Sequence, residues 1–133
     1  MIVVDANVLV YLVIDGDRTE AASLLREKEQ DWKTSPLWEY EFGNALTLMV
    51  LQRHLTPAKA AEYFQTAKTY FAPFETQFDM NLALQLSAEK KLSFYDATYL
   101  ALARMLEVPL ITEDKELRKA GGKTALSIHD FLN

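Results

Sequence analysis

Short apolar runs alternate with longer stretches of helical period along nearly the whole chain, and that alternation leaves few folds open. Runs at residues 2–5, 32–34, 70–74, 109–112 and 124–128 are strand-sized. Between them apolar residues recur at three- and four-residue spacing, which predicts helices over roughly 7–14, 18–30, 36–53, 57–69, 79–91, 94–107 and 114–120. Ile2, Val3 and Val4 are apolar without alternation, as in a strand covered on both faces. Strands separated by helices imply an α/β fold: a parallel sheet of about 4–5 strands flanked by helices on both faces.

Local chemistry supports these boundaries. Ser35-Pro36 and Thr56-Pro57 each read as an N-cap followed by proline at the first helical position. Ser93 with Asp96 resembles a capping box, and Gly121-Gly122 ends the last long helix. No repeat or linker divides the chain, so residues 1–133 are expected to form a single domain. No apolar run approaches the ~20 residues of a membrane span and no basic leader is evident, so a cytoplasmic protein is expected.

The absence of cysteine excludes disulfides and thiolate metal sites, and His54 and His129 lie too far apart in sequence for a zinc-type spacing. Any metal would have to be held by oxygen, which suits magnesium or manganese. A net charge of −5 argues against a protein that coats duplex DNA.

Four acids stand out, each with a plain alternative. Asp5 follows the apolar run in MIVVDANVLV, where an unpaired carboxylate is costly, although it also suits a helix N-cap. Glu41 falls within a helical stripe of Leu37, Ala45 and Leu48, flanked by Trp38 and Asn44, while Glu39 falls on the opposite face. A buried ion pair with a distant cation is its alternative. Asp96 has Tyr99, Leu100 and Ala103 as its helical neighbours, against the capping-box reading. Asp114 follows the Pro109-Leu110-Ile111 strand, where Thr112, Glu113 or Asp114 itself could cap the next helix.

Their placement together says more than any one of them. Ligands bind at the carboxyl ends of parallel strands, and helices returning between such strands begin at the same edge. Asp5 and Asp114 end strands, while Glu41 and Asp96 lie near helix starts, so all four are expected on one rim. Two unit charges ~4 Å apart repel by about 4 kcal/mol at an effective dielectric near 20, so such a rim must take up protons or share a cation. Hard divalent ions meet that need, with substrate phosphates as their natural partners.

In content and order, the stretches MIVVDANVLV, SPLWEYEFGNAL, LSFYDATYLALA and PLITEDKEL resemble the PIN-domain ribonucleases, most closely the compact VapC-type toxins of toxin–antitoxin pairs. The resemblance implies that Asp5, Glu41, Asp96 and Asp114 form an acidic quartet holding Mg²⁺ or Mn²⁺ for endoribonucleolytic hydrolysis of RNA. Asp5, Asp96 and Glu41 would anchor the principal cation, and Asp114 would complete the site or position the water. Asn7 and Thr112 match polar positions flanking the first and last acids. Asn44 matches an asparagine one turn after the family glutamate, where it would orient that side chain. Ala6 stands where the family often has Ser or Thr, and Glu113 is expected to be an outward-facing neighbour. The resemblance further implies a homodimer and a small antitoxin whose tail covers the acidic groove. Apolar residues on the helices at 36–69 would supply groove and dimer contact, or simply core.

Substrate grip is less sharply written. Lys115, Arg118, Lys119 and Lys123 could contact RNA phosphates, or form a solvated helix face. Trp32, Trp38 and the tyrosines could stack on bases, although aromatics at helical spacing are more often core. Two other functions compete. A PIN-like module that binds without turnover would be expected to lack one or more of the acids, and all four are present. A phosphatase with an aspartyl nucleophile would want a second aspartate where Asn7 stands. Walker, G-x-G-x-x-G and G-x-S-x-G motifs are absent.

Overall fold

A computed structural model describes residues 1–71 and 78–133. In chain order the elements are β1 (Ile2–Val4), α1 (Ala6–Val13), α2 (Thr19–Lys28), β2 (Trp32–Lys33), α3 (Trp38–Leu51), α4 (Pro57–Lys68), α5 (Met80–Lys90), α6 (Phe94–Leu106), β3 (Leu110–Ile111), α7 (Lys115–Gly121), β4 (Ala125–Leu126) and α8 (Ile128–Leu132). A 3₁₀ turn, Gly122–Thr124, joins α7 to β4. The four strands form one parallel sheet in the order β2-β1-β3-β4. Val3 pairs with Lys33 on one side and with Leu110 on the other. The expected α/β fold is therefore present, with four strands among the described residues. The strand expected at 70–74 falls mostly outside those residues, and Tyr70 and Phe71 belong to the turn after α4.

Strand periodicity sorts the core. Ile2, Val4 and Ile111 pack on one face with Ala22 and Leu25 of α2 and Ile128 of α8. Val3, Leu110 and Ala125 point the other way, onto Ala83 and Leu86 of α5, Leu100 of α6 and Leu117 of α7. Every residue from Ala97 to Ala103 in α6 is buried, so this helix is enclosed rather than laid on the surface. A third cluster joins Leu9 and Val10 of α1 to Trp38, Phe42 and Leu46 of α3 and Ala67 of α4. Within it, the Trp38 ring centroid lies 6.1 Å from Phe42, 6.2 Å from Phe64 and 4.9 Å from Phe71. Trp32 is buried as well. Neither tryptophan can stack on a base.

Several local expectations change. The strand expected over 124–128 stops at Leu126, because the Ser127 hydroxyl accepts from Asp130 N–H at 3.0 Å and starts α8. Ser35 is not the N-cap of α3, which begins at Trp38. Its hydroxyl instead accepts from Leu37 N–H at 3.2 Å and pairs with the Thr98 hydroxyl at 2.7 Å, tying the α3 entry to α6. Thr56 does cap α4, accepting from Lys59 N–H at 3.1 Å with Pro57 at the helix start.

Gly122, at φ 55°, ends α7 where an L side chain would be strained. Gly121 is small for a different reason. A Cβ added there would lie 2.5 Å from Ala125 Cβ and 3.3 Å from Leu100 Cδ1. Gly121→Ala is accordingly expected to destabilise the fold by about 1–3 kcal/mol through overpacking, measured as an earlier urea midpoint.

Candidate functional site

β1 lies between β2, which follows it in sequence, and β3, so the winding reverses at the carboxyl ends of β1 and β3. Open parallel sheets bind ligands at such a point. Asp5 immediately follows β1, and Thr112 immediately follows β3. Asp5 N–H continues the ladder by donating to Ile111 C=O at 3.2 Å, so the backbone fixes the acid against its neighbour strand.

The Asp5 carboxylate is 5% exposed. Its Oδ1 caps α1, accepting from Asn7 N–H at 2.6 Å. Its Oδ2 accepts from the Thr112 hydroxyl, which in turn accepts from Asp114 N–H at 3.1 Å. Thr112 thus joins the first and last acids through one buried oxygen. Asp114 Oδ1 caps α7 by accepting from Leu117 N–H at 2.8 Å, and the residue is exposed. Asp96 sits in the first turn of α6, its N–H capped by Ser93 at 3.1 Å, with the side chain half-buried. The reciprocal half of a capping box, from Ser93 N–H to the Asp96 carboxylate, does not form among the described residues. Glu41, in the first turn of α3, is also half-buried.

The cap readings of Asp5 and Asp114 are correct, and they do not compete with a rim. A cap uses one of a carboxylate's roughly four acceptor positions and leaves the others. Glu41 is not in the middle of its stripe. The buried line runs through Trp38, Phe42 and Leu46, Leu48 is exposed, and Glu41 lies at the edge of the line, with Glu39 exposed as expected. No distant cation meets Glu41, since the ion pairs among the described residues lie elsewhere.

Three of the four acids hold their protons more tightly than free carboxyls do. Burial pushes Asp5 from 3.8 up to about 6 against the bonds from Thr112, Asn7 and Val8, and the Asp96 charge adds to the rise. Burial likewise raises Glu41 from 4.5 to about 6, opposed by Tyr99 and reinforced by Asp5 and Asp96. Asp96 is raised by burial first and then by Asp114. Asp5, Glu41 and Asp96 are thus each raised by burial first and by a neighbouring acid after it.

The donor atoms these acids offer are all oxygen, the kind that Mg²⁺ and Mn²⁺ take. Oε1 of Glu41 is buried without a hydrogen-bond partner, a condition a cation relieves. Among the described residues no group of three or more acidic side chains stands close enough together to hold a metal ion. Magnesium does not need one: it keeps several waters and takes one or two carboxylates plus substrate phosphate.

The supporting residues divide. Thr112 is at the centre. Asn7 contributes its backbone N–H, while its exposed side chain forms no hydrogen bond among the described residues. Asn44 is exposed and forms no bond to Glu41 among them. Lys115 and Lys119 are exposed, Lys123 lies beyond α7, and Arg118 is half-buried. Glu113 is not outward-facing. Its Oε1 accepts from Ile128 N–H at 2.8 Å and its Oε2 lies 3.8 Å from Arg18, so it holds the start of α8. The residues missed from sequence are Ser35, Thr98 and the Tyr99 hydroxyl. A tyrosine within an otherwise apolar buried helix was the signal, since buried phenols seek a partner.

A family model described as PIN domain matches residues 2–123. Ribonuclease VapC3 of Pyrobaculum aerophilum is 26% identical over 119 residues, covering 87% of this chain and 91% of the relative. The crystal structure of PAE2754, also from Pyrobaculum aerophilum, aligns with a TM-score of 0.76 at 28% identity, covering 98% of this chain and 92% of that one.

Proposed function

Since the chain belongs to the PIN-domain family, we propose that it is a metal-dependent endoribonuclease, one domain over residues 1–133, acting as the toxin of a toxin–antitoxin pair. One observation carries this reading. Asp5 stands at the switch point of a parallel sheet, it and Glu41 and Asp96 are raised by burial and by neighbouring acids, and no lysine or arginine forms an ion pair with any of the three among the described residues. The ribonuclease activity named for the Pyrobaculum relative supports it.

Asp5, Asp96 and Glu41 would hold Mg²⁺ or Mn²⁺, which when bound supplies positive charge at the phosphate and acidifies water near neutral pH. Thr112 keeps Asp5 aimed by donating to Oδ2. Asp114, with Oδ1 fixed by Leu117 N–H, has Oδ2 left to orient the water that attacks phosphorus. Water adds to phosphorus, the P–O3′ bond breaks, and the 3′ oxygen departs with a proton. Tyr40 and Tyr95, 78% and 59% exposed and each preceding a site acid, are placed to meet bases beside the cut. Lys115, at the start of α7, is the cation nearest in sequence to Asp114, and Arg118 and Lys119 follow one turn later.

Exposed Tyr40, Leu48 and Leu51 on α3 offer apolar surface for a small antitoxin or a second copy in a homodimer. No helix among the described residues is long and apolar enough to cross a membrane. A cytoplasmic site of action follows from the RNA target.

The test is cleavage of a mixed pool of single-stranded and structured RNA with Mn²⁺ and with EDTA. Discrete fragments bearing 5′-phosphates, formed only with Mn²⁺, are expected. RNA bound but left intact in both conditions would instead identify a non-catalytic PIN-like module.

A further inference from the structure

We propose that Glu113 is a positioning residue: its side chain, held by the first amide of α8, fixes the turn from Thr112 to Asp114 so that the Thr112 hydroxyl stays on Asp5; this rests on the metal-dependent reading above. Thr112 Oγ1 donates to Asp5 Oδ2 and accepts from Asp114 N–H at 3.1 Å. On the backbone, Thr112 N–H donates to Leu126 C=O at 3.0 Å, and Asp114 C=O accepts from Arg118 N–H at 3.0 Å as α7 begins. Glu113 lies between these two anchors, and among the described residues its own N–H and C=O form no hydrogen bond. What holds it is the side chain, whose Oε1 accepts from Ile128 N–H at 2.8 Å.

The far end of this tether is well anchored. Ile128 N–H is the first amide of α8 and has no partner inside the helix, while Ser127 Oγ serves the Asp130 N–H. A carboxylate bound to a backbone amide makes a charge-assisted bond, about twice as strong as a neutral one. Ile128 is 3% exposed and packs with Ile2, Val4 and Ile111. At the other end of α8, Lys28 Nζ donates to the carbonyls of Phe131 and Leu132 at 2.8 and 3.2 Å. The helix is thus clamped at both ends by charges of the sign its dipole favours. Arg18, 3.8 Å from Glu113 Oε2 and with its side chain 55% exposed, adds little to the hold. Two bonds of opposite direction therefore join the turn to the β4–α8 junction: Thr112 N–H to Leu126 C=O, and Ile128 N–H to Glu113 Oε1. One alone would leave the turn free to pivot, whereas two fix its orientation. A misplacement of about 1 Å can cost an enzyme about 10²-fold, so that orientation bears on the site and not on the fold alone.

The test uses Mn²⁺ alone as the probe, titrated into wild type, Glu113→Ala, Glu113→Gln, Thr112→Val and the double variant of Glu113→Ala with Thr112→Val. Thermal unfolding of each in EDTA sets a titration temperature below the lowest midpoint. Thr112→Val removes the hydroxyl from Asp5, and Glu113→Ala lets that hydroxyl swing. Each is expected to weaken Mn²⁺ binding about tenfold, the lower end for loss of a group that orients a metal ligand. Glu113→Gln keeps an oxygen for the Ile128 N–H and should stay close to wild type. In the Thr112→Val background, Glu113→Ala should change affinity no further, because the group it aims is gone; a mere loss of packing would cost the same in both backgrounds. Equal affinity of Glu113→Ala and wild type overturns the positioning role while leaving the metal site standing. Glu113→Gln as weak as Glu113→Ala overturns it too, as does a loss of equal size with and without the Thr112 hydroxyl. No Mn²⁺ binding by wild type overturns the metal reading itself, and this role with it.

Discussion

At pH 8 without divalent metal, Asp5→Asn is expected to be more stable than wild type by about 1–2 kcal/mol. Burial raises the folded Asp5 carboxyl from 3.8 to about 6, which at ~1.36 kcal/mol per pH unit corresponds to about 3 kcal/mol of strain on the ionised form. Folded Asp5 holds its proton through a window in which the unfolded chain has already released it. Stability therefore falls as pH rises from about 4 to about 6, and the cost is complete above that. Asparagine does not titrate and escapes the cost. It keeps an oxygen for the Asn7 N–H, while its amide would donate to the Thr112 hydroxyl; re-aiming that bond removes about 1 kcal/mol of the gain. Unfolding free energies measured from pH 4 to pH 8 should show the variant about 1 kcal/mol the less stable at the acid end, with the order reversing through the window. An Asn variant that is less stable at pH 8 would mean that the carboxylate serves the fold as a cap and nothing else.

Asp96→Asn is expected to lower RNA cleavage by about 10³-fold or more while leaving the fold intact. Removing a group that merely orients a metal ligand costs 10–100-fold, and Asp96 is placed to be a ligand itself. The fold should persist because the contact that starts α6 is the Asp96 N–H to Ser93, which asparagine retains. Thermal unfolding separates the two roles. Mn²⁺ at 100 times its dissociation constant should stabilise wild type by about 2.7 kcal/mol, and the variant should gain much less at the same concentration. Full cleavage by Asp96→Asn would remove this residue from the site and leave its charge unexplained.

The acids stood out in the sequence for different reasons: Asp5 at the end of an apolar strand, Glu41 and Asp96 beside apolar helical neighbours, and Asp114 after the Pro109-Leu110-Ile111 strand. Element order was readable because period 2 and period 3.6 look different over even a few residues. The short helix α8 was not, because five residues carry too little period and its start depends on Ser127 and on Glu113 reaching across from another loop. Glu113 and Asp114 illustrate the limit. Both are acids after one strand, yet one holds a neighbouring helix and the other caps its own beside the site.

The sequence by itself determined that strands and helices alternate, that the sheet is parallel, and that Asp5 ends its first strand where a buried carboxylate needs a partner. Each of these follows from the chain's own periodicity and from the obligation of a buried charge to find a partner. Only the tertiary structure decided that β1 sits between β2 and β3, because strand order is set by which helix faces can pack together. That placement puts Thr112 against Asp5 across 107 residues of chain, and the packing of α6 ties Thr98 to Ser35 at the α3 entry. A hydroxyl's partner is chosen by the packing of distant elements, and no local pattern records the choice.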